Sequence, residues 1–252
     1  MPASYTHQCF GDDVLPHLST MLQDLIKSHK DYYDLGLQGP DLFFYFHPTR
    51  QSMVKEYGLK LHQESAHPFF EERIAYLHMN QDERAIAYML GFINHYLLDS
   101  ALHPLINKTG RHFACERDLD HFFIEERQPK NPSVADCFSK GETLCKILGT
   151  LMHMEPILIR KSISSFQFYG ALLYNKHKPI LLFCRSVLSA MRLQNADMVM
   201  IGNHDIDLSQ IKEGYYACIE EASVQLENVY YAITHGTELS SCFIPNYYGE
   251  KT

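Results

Sequence analysis

Tryptophan is absent from the 252 residues, and no segment reads as an interfacial helix, so no anchor for a lipid surface is evident. No apolar run reaches the roughly 20 residues that a membrane-spanning helix needs. The opening stretch MPASYTHQCFGDD lacks a basic segment followed by an apolar one, and a cytoplasmic protein is expected. Long basic runs are missing too, and the net charge is −8. Phosphate contacts need clustered Lys and Arg, which argues against nucleic acid as the main partner, and anionic lipid is disfavoured for the same reason. Seven cysteines (Cys9, Cys115, Cys137, Cys145, Cys184, Cys218, Cys242) are odd in number and contain no C-x-x-C pair, which argues against a disulfide framework. No linker, low-complexity tract or internal repeat divides the chain, and a single domain over residues 1–252 is expected.

Strand signals are weak everywhere, whereas helical periodicity is strong. Helices are expected over roughly 11–29, 41–56, 68–78, 82–103, 111–126, 137–154, 160–174, 177–193 and 208–235. The fold class is therefore all-α, a single-domain helical bundle. Gly39-Pro40, Pro68, His103-Pro104 and the stretch from Pro129 to Pro132 supply the breaks. In the second half, Ile211, Tyr215, Ile219, Val224 and Leu226 mark an amphipathic helix, and the tail FIPNYYG reads as a packing element.

What the chain does have is histidine: 15 in all, 11 of them within the first 121 residues. The stretch HYLLDSALHP, His95 to Pro104, places two of them and an aspartate in a segment that is otherwise apolar around most of its circumference. His95 and Asp99 lie four apart and share one helix face, and His103 continues it within about 80°. A buried carboxylate needs a cation or strong donors nearby. Downstream, HFACERDLD spaces His112, Glu116 and Asp120 at intervals of four, on a face flanked by Leu119 and Phe123. His121 and Glu125 repeat the spacing about 180° away and read as a solvated pair. Imidazole and carboxylate without thiolate suit zinc and related divalent ions in a catalytic rather than a structural role.

GFINHYLLDSALHP followed by HFACERDLD resembles the core signature of the zinc-dependent phospholipase C family, and GLQGPDLFFY, Gly36 to Tyr45, resembles the Gly-Pro-Asp segment of its bacterial intracellular branch. The resemblance covers about residues 5–125; the second half matches only in being helical. It implies two to three Zn2+ ions per chain. His95 and Asp99, with His62, would serve one ion, and His103, His112 and Glu116 a second. Asp41 would serve a third ion and act as general base, with His7 completing that site. Asp120 is expected to orient a ligand histidine. Exported members complete the third site with the mature N-terminal residue; this chain begins Met1-Pro2, so a different completion is expected, with His47 and His67 as further candidates.

The implied chemistry is hydrolysis of a phosphate ester by metal-activated water, deprotonated with help from Asp41. A phospholipid headgroup is one candidate substrate, for which Phe43, Phe44 and Tyr45 could line a pocket, although at least two of the three are expected to be core; a soluble phosphodiester or phosphomonoester is another. Two other helical metalloenzyme types fit poorly. An HD-type phosphohydrolase could use His204-Asp205, but no aspartate follows Asp207 to complete its site. A di-iron bundle needs paired E-x-x-H motifs, and only Glu64 to His67 qualifies. The remaining alternative is a metal-binding helical scaffold without turnover.

Overall fold

The computed structural model describes residues 4–48, 50–174, 177–190, 197–201 and 206–251, with residues 136 and 137 by backbone alone. Eleven α-helices are formed among them: α1 (Ser4–Val14), α2 (Thr20–Ser28), α3 (Lys30–Gly36), α4 (Met53–Gln63), α5 (Ala66–Asn80), α6 (Glu83–Lys108), α7 (His112–Arg127), α8 (Glu142–Leu151), α9 (Pro156–Leu173), α10 (Lys178–Ala190) and α11 (Ser209–His235). No strand occurs among the described residues, and the architecture is all-α. The continuous apolar core runs from Tyr5 in α1 to Tyr247 near the C-terminus.

The centre of the bundle is α6. Asp82 caps it by accepting from the Arg84 amide, and every residue from Ala85 to Asp99 is buried. A helix that is apolar nearly all round can be stable only if neighbours cover it on several sides. Here α3 and α11 are the main neighbours. The α3 crossing is unusually close: a Cβ on Gly36 would fall 2.2 Å from the Tyr88 carbonyl oxygen, and one on Gly91 would fall 2.2 Å from that of Tyr33. The two backbones therefore touch, and any side chain at either position would force them apart.

Several boundaries differ from the sequence expectation, each for a local reason. The helix expected over 11–29 is two helices, because Pro16 falls in a 3-10 turn, Leu15–His17, between them. The helix expected over 41–56 is a 3-10 helix, Gly39–Tyr45, followed by α4. The helix expected over 137–154 is confined to Glu142–Leu151. Conversely, Pro104 does not end α6, which continues to Lys108. Proline costs only the bond to the carbonyl of Ser100, and the backbone of the tail at Gly249 packs there: a Cβ on Gly249 would lie 2.7 Å from Ser100 O and 2.9 Å from Pro104 Cγ.

Candidate metal centre

The Gly-Pro-Asp segment owes its form to the helix it packs against. Gly39 has φ +51°, a left-handed conformation that favours glycine, and a Cβ there would sit 2.4 Å from Cδ2 of His95. The His95 ring thus lies flat on bare backbone. Pro40 starts the 3-10 helix with a fixed φ and no amide hydrogen to satisfy, and Asp41 follows in its first turn. Because the Gly36–Gly91 contact lies one helical turn before His95, the same crossing that seats α3 carries Asp41 to the ligand face of α6.

On that face, side chains from five segments converge. Nε2 of His62, in α4, is 3.1 Å from Asp41 Oδ1 and 4.0 Å from Asp99 Oδ2. Nε2 of His7, in α1, is 3.2 Å from Asp99 Oδ1, and Nε2 of His95 is 3.1 Å from Asp99 Oδ2. Nε2 of His103 lies 3.8 Å from Asp99 Oδ1 and 3.4 Å from Glu116 Oε1, and that of His112 lies 3.0 Å from Glu116 Oε1. Three groups could each hold an ion: His7, His95 and Asp99; Asp41, His62 and His95; His103, His112 and Glu116. The third group has the composition that the resemblance implied. The other two exchange members, since His62 faces Asp41 and His7 faces Asp99. All eight residues nevertheless belong to one assembly.

The ring orientations carry chemical information. Nδ1 of His62 donates to the Gly58 carbonyl (2.8 Å), that of His95 to the Leu37 carbonyl (3.0 Å), and that of His103 to the Tyr247 carbonyl (2.7 Å). Nδ1 of His112 donates to Asn107 Oδ1 at 2.9 Å. A carbonyl only accepts, so each of these nitrogens carries a proton and each Nε2 is turned to the carboxylates. Nε2 of His95 is fully buried and makes no hydrogen bond, although Asp99 is near. Each such Nε2 and the carboxylate it faces require a positive charge between them, a proton or a cation. A divalent ion with nitrogen and oxygen ligands fits that requirement, and the thiolate-free donor set suits zinc.

The same field shows in the ionisation of the residues. Burial opposes the Asp99 anion, but His103 and His95 beside it hold its carboxyl well below the usual range. Burial likewise opposes the Glu116 anion, which His103 and His112 lower in the same way. His103 is desolvated, which disfavours its cation, yet Asp99 and Glu116 raise its pKa to about 9. Asp41 is half-buried and desolvation opposes its charge, but its bond to His62 and the proximity of His95 draw its pKa down. Burial and the neighbouring His95, stacked on it at 3.8 Å, lower the pKa of His7.

Two sequence expectations need correction. Asp120 does not hold a histidine: its Oδ1 accepts from the amide (2.7 Å) and hydroxyl (2.6 Å) of Thr6, and its Oδ2 accepts from the Tyr174 hydroxyl. Its carboxylate sits at the N-terminus of α1 and acts on His7 only through the backbone of that helix. The burial argument for α7 also changes. Ala114, Arg117 and Asp118, on the side of His121, are buried, and the His112 and His121 side chains are similarly exposed at 28% and 30%. The glutamates separate the pairs, since the Glu116 side chain is 5% exposed and that of Glu125 is 67%. His47 is exposed and His67 pairs with Glu71 at 3.9 Å, so neither joins the assembly. His204 and Asp205 lie outside the described residues.

The assembly lies at the base of a cleft of about 460 Å³. Asp41, His62, Asp99, His103, His112 and Glu116 reach its surface, and Phe44, Tyr45, Phe113, Tyr169, Leu173 and Tyr248 make up much of its wall. Phe43, by contrast, is fully buried in the core. Reasoning from sequence missed the tail: the carbonyl of Tyr247 orients His103, its amide donates to the His62 carbonyl at 3.3 Å, and Tyr248 lines the cleft. The aromatic pair in FIPNYYG was the available signal. Among the described residues, no helix is long and apolar enough to cross a membrane.

Comparison with known families finds a match over residues 6–154, more than half of the chain, to the family described as zinc dependent phospholipase C. No match to the chain was found among curated proteins or solved structures.

Proposed function

Because the chain belongs to the zinc-dependent phospholipase C family, we propose that it is a phosphodiesterase whose His/Asp/Glu assembly holds two to three zinc ions and hydrolyses a phosphate ester bound in the cleft. The observation that carries this reading is the convergence of five imidazoles and three carboxylates at the floor of an open cleft, four of the imidazoles with Nδ1 tied to a carbonyl oxygen. His7, His95 and Asp99, then Asp41 and His62, then His103, His112 and Glu116 are the proposed ligands.

Bound zinc would act as a Lewis acid, making water acidic enough to lose a proton near neutral pH and offsetting the charge of the phosphate. Asp41 is the proposed general base: its carboxyl reaches the cleft and stays ionised in the field of His62 and His95, ready to accept a proton from water. The carbonyls of Gly58, Leu37 and Tyr247 hold the rings so that the assembly needs little rearrangement as it binds. The apolar and aromatic walls exclude water from the rest of the substrate. A phospholipid headgroup is a candidate, and so is a soluble diester. An assembly facing an open cleft favours an enzyme over a closed structural site.

Metal analysis of the purified protein, with a panel of phosphodiesters and phosphomonoesters, tests this reading. More than one zinc per chain, hydrolysis abolished by chelation, and a fall in melting temperature on zinc removal are expected. Removing the ions leaves the buried Asp99 and Glu116 compensated by the surrounding histidines alone, which is expected to lower stability. Protein free of divalent ions whose melting is indifferent to chelator overturns it.

A further inference from the structure

Beyond the family-matched residues, between Glu155 and Asp197, the sequence holds six Lys and Arg (Arg160, Lys161, Lys176, Lys178, Arg185, Arg192) and no Asp or Glu. Lys176 and Arg192 lie outside the described residues. In a chain of net charge −8 this segment is a cationic island. No basic run marks it, because the charges are dispersed among apolar residues. The fold places the other four, Arg160 and Lys161 on α9 and Lys178 and Arg185 on α10, on two helices that pack together.

These helices also carry apolar surface that no described residue covers. On α9, Ile157 and Phe168 are 52% and 64% exposed. They are eleven residues apart, which is three turns, so they share a face, and Lys161 lies on that face between them. The opposite face, Ile159, Ile163, Phe166 and Leu173, is buried. On α10, Leu181 and Cys184 point inward, while Ile180, Phe183 and Val187 form an outward stripe, with Phe183 70% exposed. Exposed aromatic and aliphatic side chains interspersed with lysine and arginine make a surface that lies in the headgroup boundary of a membrane: the rings enter the acyl edge and the amines stay with the headgroups.

We propose that the exposed faces of α9 and α10 are a docking surface for an anionic lipid membrane. Charge complementarity selects that occupant, because α9 and α10 carry Arg160, Lys161, Lys178 and Arg185 and no carboxylate of their own, an excess that Glu142 beside Arg160 and Glu155 at the start of α9 reduce but do not cancel, and a net positive surface is attracted to a negatively charged leaflet and not to a second copy bearing the same charge. Position agrees. Tyr169 and Leu173 of α9 and Leu188 of α10 line the cleft above the metal centre, so the proposed surface adjoins the wall along which a lipid would enter. Docking itself is independent of the proposed hydrolysis; only the delivery of lipid to the cleft rests on that reading.

Vesicle sedimentation tests the proposal, with vesicles of phosphatidylcholine alone or mixed with phosphatidylglycerol, using zinc-loaded full-length protein and protein in chelator. Binding is expected to the anionic vesicles, to weaken as salt is raised, and to fall at least about tenfold in Lys161→Glu/Lys178→Glu, since each basic residue near a charged surface contributes about fivefold in partition. Phe168→Ser/Phe183→Ser is expected to lose binding as well. Both variants should keep the wild-type circular dichroism spectrum and hydrolyse a soluble diester at the wild-type rate. Binding that persists in a protein showing no hydrolysis would refute the enzymatic reading and leave the surface standing. Equal partition into neutral and anionic vesicles, unchanged binding in folded variants, or a self-association that the same substitutions abolish overturns the proposal.

Discussion

The imidazole of His103 donates from Nδ1 to the carbonyl of Tyr247 at 2.7 Å, across 144 residues of chain. That one bond makes the last few residues part of a site whose other members lie between His7 and Glu116. Asn246 holds the turn in place: its Oδ1 accepts from the amides of Tyr248 and Glu250, and its Nδ2 donates to the Gln63 carbonyl beside His62.

Asn246→Ala should therefore weaken metal binding without touching a ligand. Loss of an outer partner of a ligand histidine typically costs 10- to 100-fold in affinity, and a decrease of about tenfold is expected here. Competition titration against a chromophoric zinc chelator measures it. Wild-type affinity in the folded variant would show that His103 is oriented without help from the tail.

Asp41→Asn keeps the shape of the side chain and removes its charge. Removing a general base typically costs 10²- to 10⁴-fold, so kcat on a good phosphodiester should fall by at least about 10²-fold. The His103, His112 and Glu116 group does not include Asp41 and should retain its metal. Turnover at the wild-type rate would reduce Asp41 to a residue at the start of a 3-10 helix.

The two His/Glu pairs of α7 make opposite predictions. Alanine at both His112 and Glu116 should remove metal and hydrolysis, because Glu116 is buried between His103 and His112. Alanine at both His121 and Glu125 should leave zinc content unchanged and stability within about 0.5 kcal/mol, as for other surface pairs. Zinc analysis of the two double variants decides; loss in the second with retention in the first would reverse the assignment.

Asp120 predicts a pH effect. Burial pushes its carboxyl up to about 7 from 3.8, against the donors from Thr6 and Tyr174 that favour the anion. A carboxyl whose folded pKa lies above its unfolded value contributes fully below the unfolded pKa, and that contribution is lost as pH rises through the folded pKa. From pH 3.8 towards 7, Asp120 should therefore subtract from stability. Asp120→Asn, which cannot ionise, should flatten the slope of melting temperature against pH in that window relative to the wild type. Parallel melting curves for the two proteins across that range would exclude the effect.

Local chain geometry alone places His95, Asp99 and His103 on one face of a helix, and His112 and Glu116 on another, because side chains four apart project together in any α-helix. The all-α class, the spacing of the ligands and the Gly-Pro-Asp segment are legible for the same reason: periodicity and backbone permissiveness are properties of neighbours in sequence. Tertiary structure decided the rest. Whether His62 faces Asp41 or Asp99 depends on where α4 lies beside the 3-10 helix, and His7 reaches Asp99 from a helix that packs on α6, α7 and α11 and whose first turn bonds to Asp120. The crossing of α3 and α6 at Gly36 and Gly91 sets the distance from Asp41 to His95, which no residue spacing encodes. The Tyr247 carbonyl is a backbone atom, carries no side-chain signature, and becomes a partner of His103 only when the tail folds over α6. Burial too is collective: Arg117 and Asp118 are covered by neighbours although both are charged, and Phe168 and Phe183 stay exposed although both are apolar. Hydrophobic pattern orders the faces of a helix, but which faces are covered depends on how many neighbours the assembled bundle places there.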